Sequence, residues 1–109
     1  MRIWDLPVER LCNKHLLGEH RELHAIWSII TENKKGYSSH PETKRWVGKL
    51  KALYNRHKEQ ITEMKKRGFK HNSPLNTIFS KGSNIQNTFI NTIEEQKQIL
   101  KKKKCNCKV

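Results

Sequence analysis

The sequence holds no apolar run approaching the roughly 20 residues that span a bilayer. Asp5, Glu9 and Arg10 interrupt its first residues, where a secretory leader would need an unbroken apolar stretch. A spanning or exported chain is therefore not expected; a cytoplasmic location is, in the nucleoid, or in the nucleus for a eukaryotic or viral-host setting. Cysteine is scarce and odd in number, at three, which argues against a paired disulfide framework and fits a reducing compartment. Cys105-Asn106-Cys107 has no histidine at finger spacing, so no metal site is expected. Glycine-rich phosphate loops, zinc signatures and Ser/His/Asp orders are absent, as are internal repeats and any convincing strand. A hydrophobic share of 34% over 109 residues leaves room for one economical core.

Acidic residues are also few, 10 against 23 Lys and Arg, for a formal net charge of +13. Such an excess points to a polyanionic partner, nucleic acid before an anionic membrane surface. The imbalance is uneven. Residues 1–32 carry four basic and five acidic residues, net −1, whereas the other 77 carry 19 and five, net +14. Carboxylates are unfavourable beside a phosphate backbone, so those near the start either balance a helix surface or do chemistry.

Helical spacing accounts for most of the rest. From about Val8 or Leu11 to Ile30 or Thr31, residues Leu16, Leu23, Trp27 and Ile30 recur at seven, four and three, forming one apolar stripe. His15 and Glu22, seven apart, share a face about 100° round from that stripe. Gly18 inside this helix costs about 1 kcal/mol relative to Ala, which suggests that the N-terminal arm or a DNA strand packs close there. Asn33 to Ser39 reads as a loop. Ser39-His40-Pro41-Glu42 resembles a capping box with Pro in the first turn. It opens a second helix with Trp46, Leu50, Leu53, His57, Ile61 and Met64 on one stripe, ending at Gly68 after Lys65-Lys66-Arg67. His57 on this stripe is expected to be a packing residue. After a turn-rich connection around Ser73-Pro74, Ser83 to Gln86 offers a second capping box. That box opens a third helix through Ile85, Phe89, Ile93 and Leu100. The expectation is an all-α fold: one compact domain of three main helices over residues 1–100, with an N-terminal arm packed against them. Residues 101–109 would be a basic, flexible tail.

The residues alone offer one acid/base pair, Glu22 with His15 a helical repeat away, a weak signal by itself. His15 could equally bond Glu19. The stretch His15-Leu16-Leu17-Gly18-Glu19-His20-Arg21-Glu22-Leu23 nevertheless resembles the first-helix signature of the phage endonuclease V family, roughly His-Leu-x-x-Glu-x-Arg-Glu-Leu. Lys49-Leu50, Leu53, Arg56, Glu59, Ile61, Glu63 and Lys66-Arg67-Gly68-Phe69 keep the same register in the second helix. The resemblance covers about residues 1–32 and 46–69, and is only architectural beyond 75.

That family consists of pyrimidine dimer DNA glycosylases with AP lyase activity, and the resemblance implies roles position by position. The nucleophile is the α-amino group of the first residue, here Met1. Arg2 is too bulky for the usual removal of an initiator Met, so Met1 is expected to remain. The amine would attack C1′ of the lesion's 5′ deoxyribose, expel the base as an imine forms, and allow β-elimination to nick the strand. An α-amine has a pKa of about 7.7–8.0 against about 10.4 for Lys, so near neutral pH it needs no buried lysine's help. Glu22 matches the essential carboxylate, stabilising the cationic sugar and moving protons. Arg2, His15 and Arg21 match residues that contact DNA or organise the site, Arg21 as a phosphate clamp. Lys44, Arg45, Lys97 and Lys101 to Lys104 are candidate phosphate contacts from the residues themselves.

The resemblance further implies a damaged duplex that is kinked, with a base opposite the lesion extruded. No cofactor is expected, and a monomer is. Two departures bear on specificity: Ala25 and His24 stand where the phage enzyme has Arg and Pro, and a lysine run stands where it has an aromatic C-terminal segment. Other damaged pyrimidines or abasic sites are therefore alternative substrates. A non-catalytic basic helical module that binds DNA or RNA is the alternative function.

Overall fold

A computed structural model describes residues 2–36, 38–70, 74–103, 105, 107 and 108. Among them are four α-helices, α1 (Asn13–Thr31), α2 (Pro41–Lys44), α3 (Leu50–Lys66) and α4 (Ile93–Lys102), with short 3-10 turns at Val8–Arg10 and Thr77–Phe79. The fold is all-α, as its periodicity predicts. None of these helices is long and apolar enough to cross a membrane.

The helix ends follow their local chemistry. At the end of α1, Asn33 takes a left-handed φ of 52° and the Lys34 N–H closes onto the Ile29 carbonyl at 3.0 Å, satisfying an orphan acceptor. Gly68 does the same for α3: with φ at 83°, it lets the Phe69 N–H reach the Met64 carbonyl at 2.9 Å. The stop expected at Gly68 is thus correct.

Two expectations fail. The second predicted helix is broken between α2 and α3, at Gly48 with φ of 76°. The cap at its start is the His40 imidazole, which accepts from the Glu42 N–H. The third helix begins at Ile93, capped by Thr92, and not near Ser83. The reason lies in α3, whose first residue has no side-chain cap. Its orphan N–H groups at Lys51 and Ala52 donate to the carbonyls of Lys81 and Ser83, at 3.0 and 3.1 Å. Residues 81–83 are therefore held extended, with an antiparallel bridge between Lys49 and Gly82. A Cβ on Gly82 would stand 2.2 Å from the Gly48 carbonyl oxygen, so only glycine permits this approach.

The core has two adjoining parts. Ile3 packs with Leu23, Ile26 and Trp27 of α1 and with Trp46, Ala52, Leu53 and Leu75. Trp4, Leu6, Val8 and Leu11 pack with Leu16, Met64 and Leu100. The N-terminal arm therefore lies in the core and runs antiparallel to α1: it leads into Asn13 at the helix start, whereas its Trp4 N–H reaches Glu19 further along.

Candidate active site

Three side chains from three elements hold the arm by its backbone. Glu42 Oε1 accepts from the Ile3 N–H at 3.1 Å, Glu19 Oε1 from the Trp4 N–H at 2.7 Å, and Gln96 Oε1 from the Asp5 N–H at 2.8 Å. Isolated buried carboxylates are costly, but here each is paired. Glu19, 2% exposed, takes a two-pronged contact from the Arg56 guanidinium, both bonds at 2.9 Å, and a further bond from the Gln60 amide. Burial works against the Arg56 charge, yet Glu19, with Glu59 and Asp5 behind it, overcomes this and holds the guanidinium above its ordinary value. Arg45 completes the frame. It donates to Glu42 at 2.9 Å, to Asp5 at 3.0 Å, and to the carbonyls of Ile3 and Thr88 at 2.8 and 3.0 Å.

The predicted site residues divide accordingly. Met1 lies outside the described residues, and so does Lys104. Glu22 stands half-buried on α1, one turn beyond Glu19 and about 60° round the helix, with no hydrogen bond or ion pair to another described residue. Arg21, Lys44 and Lys101 are exposed and Lys97 is half-exposed. Arg2 donates to Asn91 Oδ1 at 3.0 Å and stacks its guanidinium over the Trp4 ring at 4.8 Å. Arg45, expected on a phosphate-binding surface, is only 6% exposed and is committed to the arm. His15 bonds neither Glu19 nor Glu22. Its Nδ1 faces the sulfurs of Cys12 and Cys107 at 3.1 and 3.2 Å, and the ring meets Trp4 edge-on. Burial, then the charges of Lys103 and Lys14, push its imidazole below the ordinary value.

Nor does any described residue explain Gly18. Among the described residues a Cβ there would meet nothing within 4 Å, so the arm from Arg2 onward does not pack against it. Sequence reasoning missed the arm's holders, Glu19, Glu42, Gln96, Arg56 and Gln60. Glu19 was detectable: it falls three residues after Leu16 and four before Leu23, squarely on the apolar stripe.

Among the described residues, two clusters have the donor types of metal sites. Cys12, His15, Cys105 and Cys107 form one, and His20, His24 and His57 the other. In the second, His57 is buried as its stripe position predicts, its Nε2 3.1 Å from that of His24, while His20 Nδ1 lies 2.9 Å from Gln60 Oε1.

No curated protein and no solved structure shows a significant match to the chain. The sequence profile described as pyrimidine dimer DNA glycosylase does match, over residues 1–77, the stretch containing the arm, α1, α2, α3 and every carboxylate described above. With more than half its length matched, the chain belongs to the pyrimidine dimer DNA glycosylase family.

Proposed function

We propose that this chain excises UV-dimerised pyrimidines from duplex DNA and then nicks the strand, with the Met1 α-amine as nucleophile and Glu22 as its carboxylate partner. The amine nitrogen bonds to C1′ as the N-glycosidic bond breaks and its electron pair leaves with the base. Loss of a proton and opening of the sugar ring give the imine. Removal of a 2′ proton then expels the 3′ phosphate by β-elimination. Glu22 stabilises the cationic sugar and carries protons between these steps.

The observation that carries this reading is the arm. Its backbone amides at residues 3, 4 and 5 are each gripped by a buried side chain. It runs antiparallel to α1, with the Trp4 N–H on Glu19, one turn before Glu22, and Ile3 in the same core cluster as Leu23. A nucleophilic terminus needs such positioning, because its gain in rate comes from fixed geometry. Glu22 is half-buried on the helix that the arm follows, with its carboxylate uncommitted among the described residues. Arg21 beside it, with Arg2, Lys44, Lys97 and Lys101, would supply phosphate contacts that position the duplex. The open space at Gly18 suits the close approach of a DNA strand.

Borohydride reduction during incubation with irradiated or abasic duplex provides the test, since it converts an imine to a stable crosslink. A crosslink mapping to Met1, in protein whose intact mass retains an unmodified Met1, is expected. Full strand cleavage by protein lacking Met1 or acetylated there would exclude the amine. Absence of any crosslink or nick, with duplex binding retained, would leave a non-catalytic DNA-binding module.

A further inference from the structure

We propose that Cys12, His15, Cys105 and Cys107 form a structural zinc(II) site that clamps the C-terminal tail onto the start of α1. The four donor atoms lie within 4.8 Å of one another. His15 Nδ1 is already 3.1 Å from Cys12 Sγ and 3.2 Å from Cys107 Sγ. Zn–S bonds of about 2.3 Å and Zn–N bonds of about 2.0–2.1 Å make the edges of a tetrahedron ~3.5–3.8 Å. Admitting the ion therefore asks for small outward shifts at the two His15 edges and closure of wider edges by up to about 1 Å, in side chains that are half-buried and can adjust.

The donor set selects the ion and the role. Three thiolates and one imidazole are a borderline-soft, four-ligand set that zinc fills completely, leaving no open position for substrate; such sites are structural. The surroundings agree. The Cys12 N–H donates to Cys107 Sγ at 3.1 Å, the kind of outer bond that orients and stabilises a metal-bound thiolate. Three thiolates around a divalent ion leave one net negative charge, and Lys14 and Lys103 stand close enough to His15 to offset it. A disulfide would use only two of the three thiols and would not explain why the imidazole faces two sulfurs.

Each half of the site is local, Cys12-x-x-His15 entering α1 and Cys105-x-Cys107 after α4, but the halves come from opposite ends of the chain. Search by finger spacing therefore cannot find them. The clamp also has a mechanical consequence. The tail is further tied by the Lys108 N–H to the Arg10 carbonyl at 2.7 Å, and α4 carries Gln96, which holds Asp5 of the arm. Closing so long a loop removes freedom from the unfolded chain, and metal binding becomes folding free energy. Cys105, Cys107 and Lys108 would then be anchored to the start of α1.

The full-length protein, purified under reducing, chelator-free conditions, provides the test. Elemental analysis should find one zinc per chain bound to this site, and cobalt(II) exchanged into it should show thiolate-to-metal charge-transfer absorption. Cys105→Ser and Cys107→Ser should each weaken metal retention against a competing chelator by about tenfold or more, with loss of that absorption. The cobalt spectrum of the unaltered protein decides the matter even if a variant folds poorly. Three results would overturn the proposal: no metal uptake by reduced protein given equimolar zinc; cobalt bound without charge-transfer bands, or retained by the Cys105→Ser/Cys107→Ser double variant, which would assign it to His20, His24 and His57; or a disulfide among the three cysteines in the mass of protein kept reducing throughout.

Discussion

Glu19 and Glu22 stand three residues apart on one helix, and their surroundings give them different work. Glu19 is buried against Arg56, Gln60 and the Trp4 amide. Glu19→Gln would leave the Arg56 guanidinium without its buried counter-charge, with only the exposed Glu59 carboxylate at 3.5 Å in its place, so stability should fall by up to roughly 3–5 kcal/mol, read as a lower urea midpoint at unchanged slope. Glu22 is half-buried and unbonded among the described residues. Glu22→Gln should keep stability within about 0.5 kcal/mol of the parent and retain duplex binding. Cleavage of irradiated or abasic duplex should fall ~10²–10⁴-fold; unaltered strand scission would remove Glu22 from the chemistry. The distinction was only partly legible beforehand. Position on the apolar stripe marks Glu19 as inward, but its partners lie 15 to 41 residues away, beyond any local pattern.

At the scale of elements, α1 carries an unexplained weakness in Gly18. Because an added Cβ would meet no other described residue within 4 Å, Gly18→Ala should stabilise the free protein by about 1 kcal/mol. If a DNA strand occupies that space, the same change should weaken duplex binding; a thermal melt and a binding titration on one preparation separate the two effects. Helix α4 starts on a reciprocal capping box, with the Thr92 hydroxyl accepting from the Glu95 N–H and the Glu95 carboxylate accepting from the Thr92 N–H. The Thr92 backbone bond, then its side chain, hold the Glu95 carboxyl below its ordinary value. A lowered folded value means the contribution is complete above the ordinary carboxylate range and is lost as pH falls through the lowered one. Glu95→Gln should therefore flatten part of the acid limb of a stability-against-pH curve, and an unchanged limb would show that the box does not contribute. The misplaced start of this helix has a plain cause: Ser83 to Gln86 has the right residue types, but α3 recruits 81–83 as its own cap.

For the whole molecule, charge decides how it meets its substrate. An excess of +13, with neutralisation of about 6–10 phosphates, should make duplex affinity fall ~10³–10⁵-fold between 50 and 200 mM salt; a shallow salt slope would argue against a phosphate-tracking surface. The helical class, the face shared by His15 and Glu22, the stop at Gly68, the polyanionic partner and the family are legible in the residues alone, because these depend on spacing, local chemistry and net charge. That Arg45 faces inward, that Glu42, Glu19 and Gln96 hold the arm, and that cysteines from both ends of the chain meet at His15 emerges with the packed fold. Those outcomes rest on contacts between residues distant in sequence, where burial turns a surface charge into a structural one and no local period records the partner.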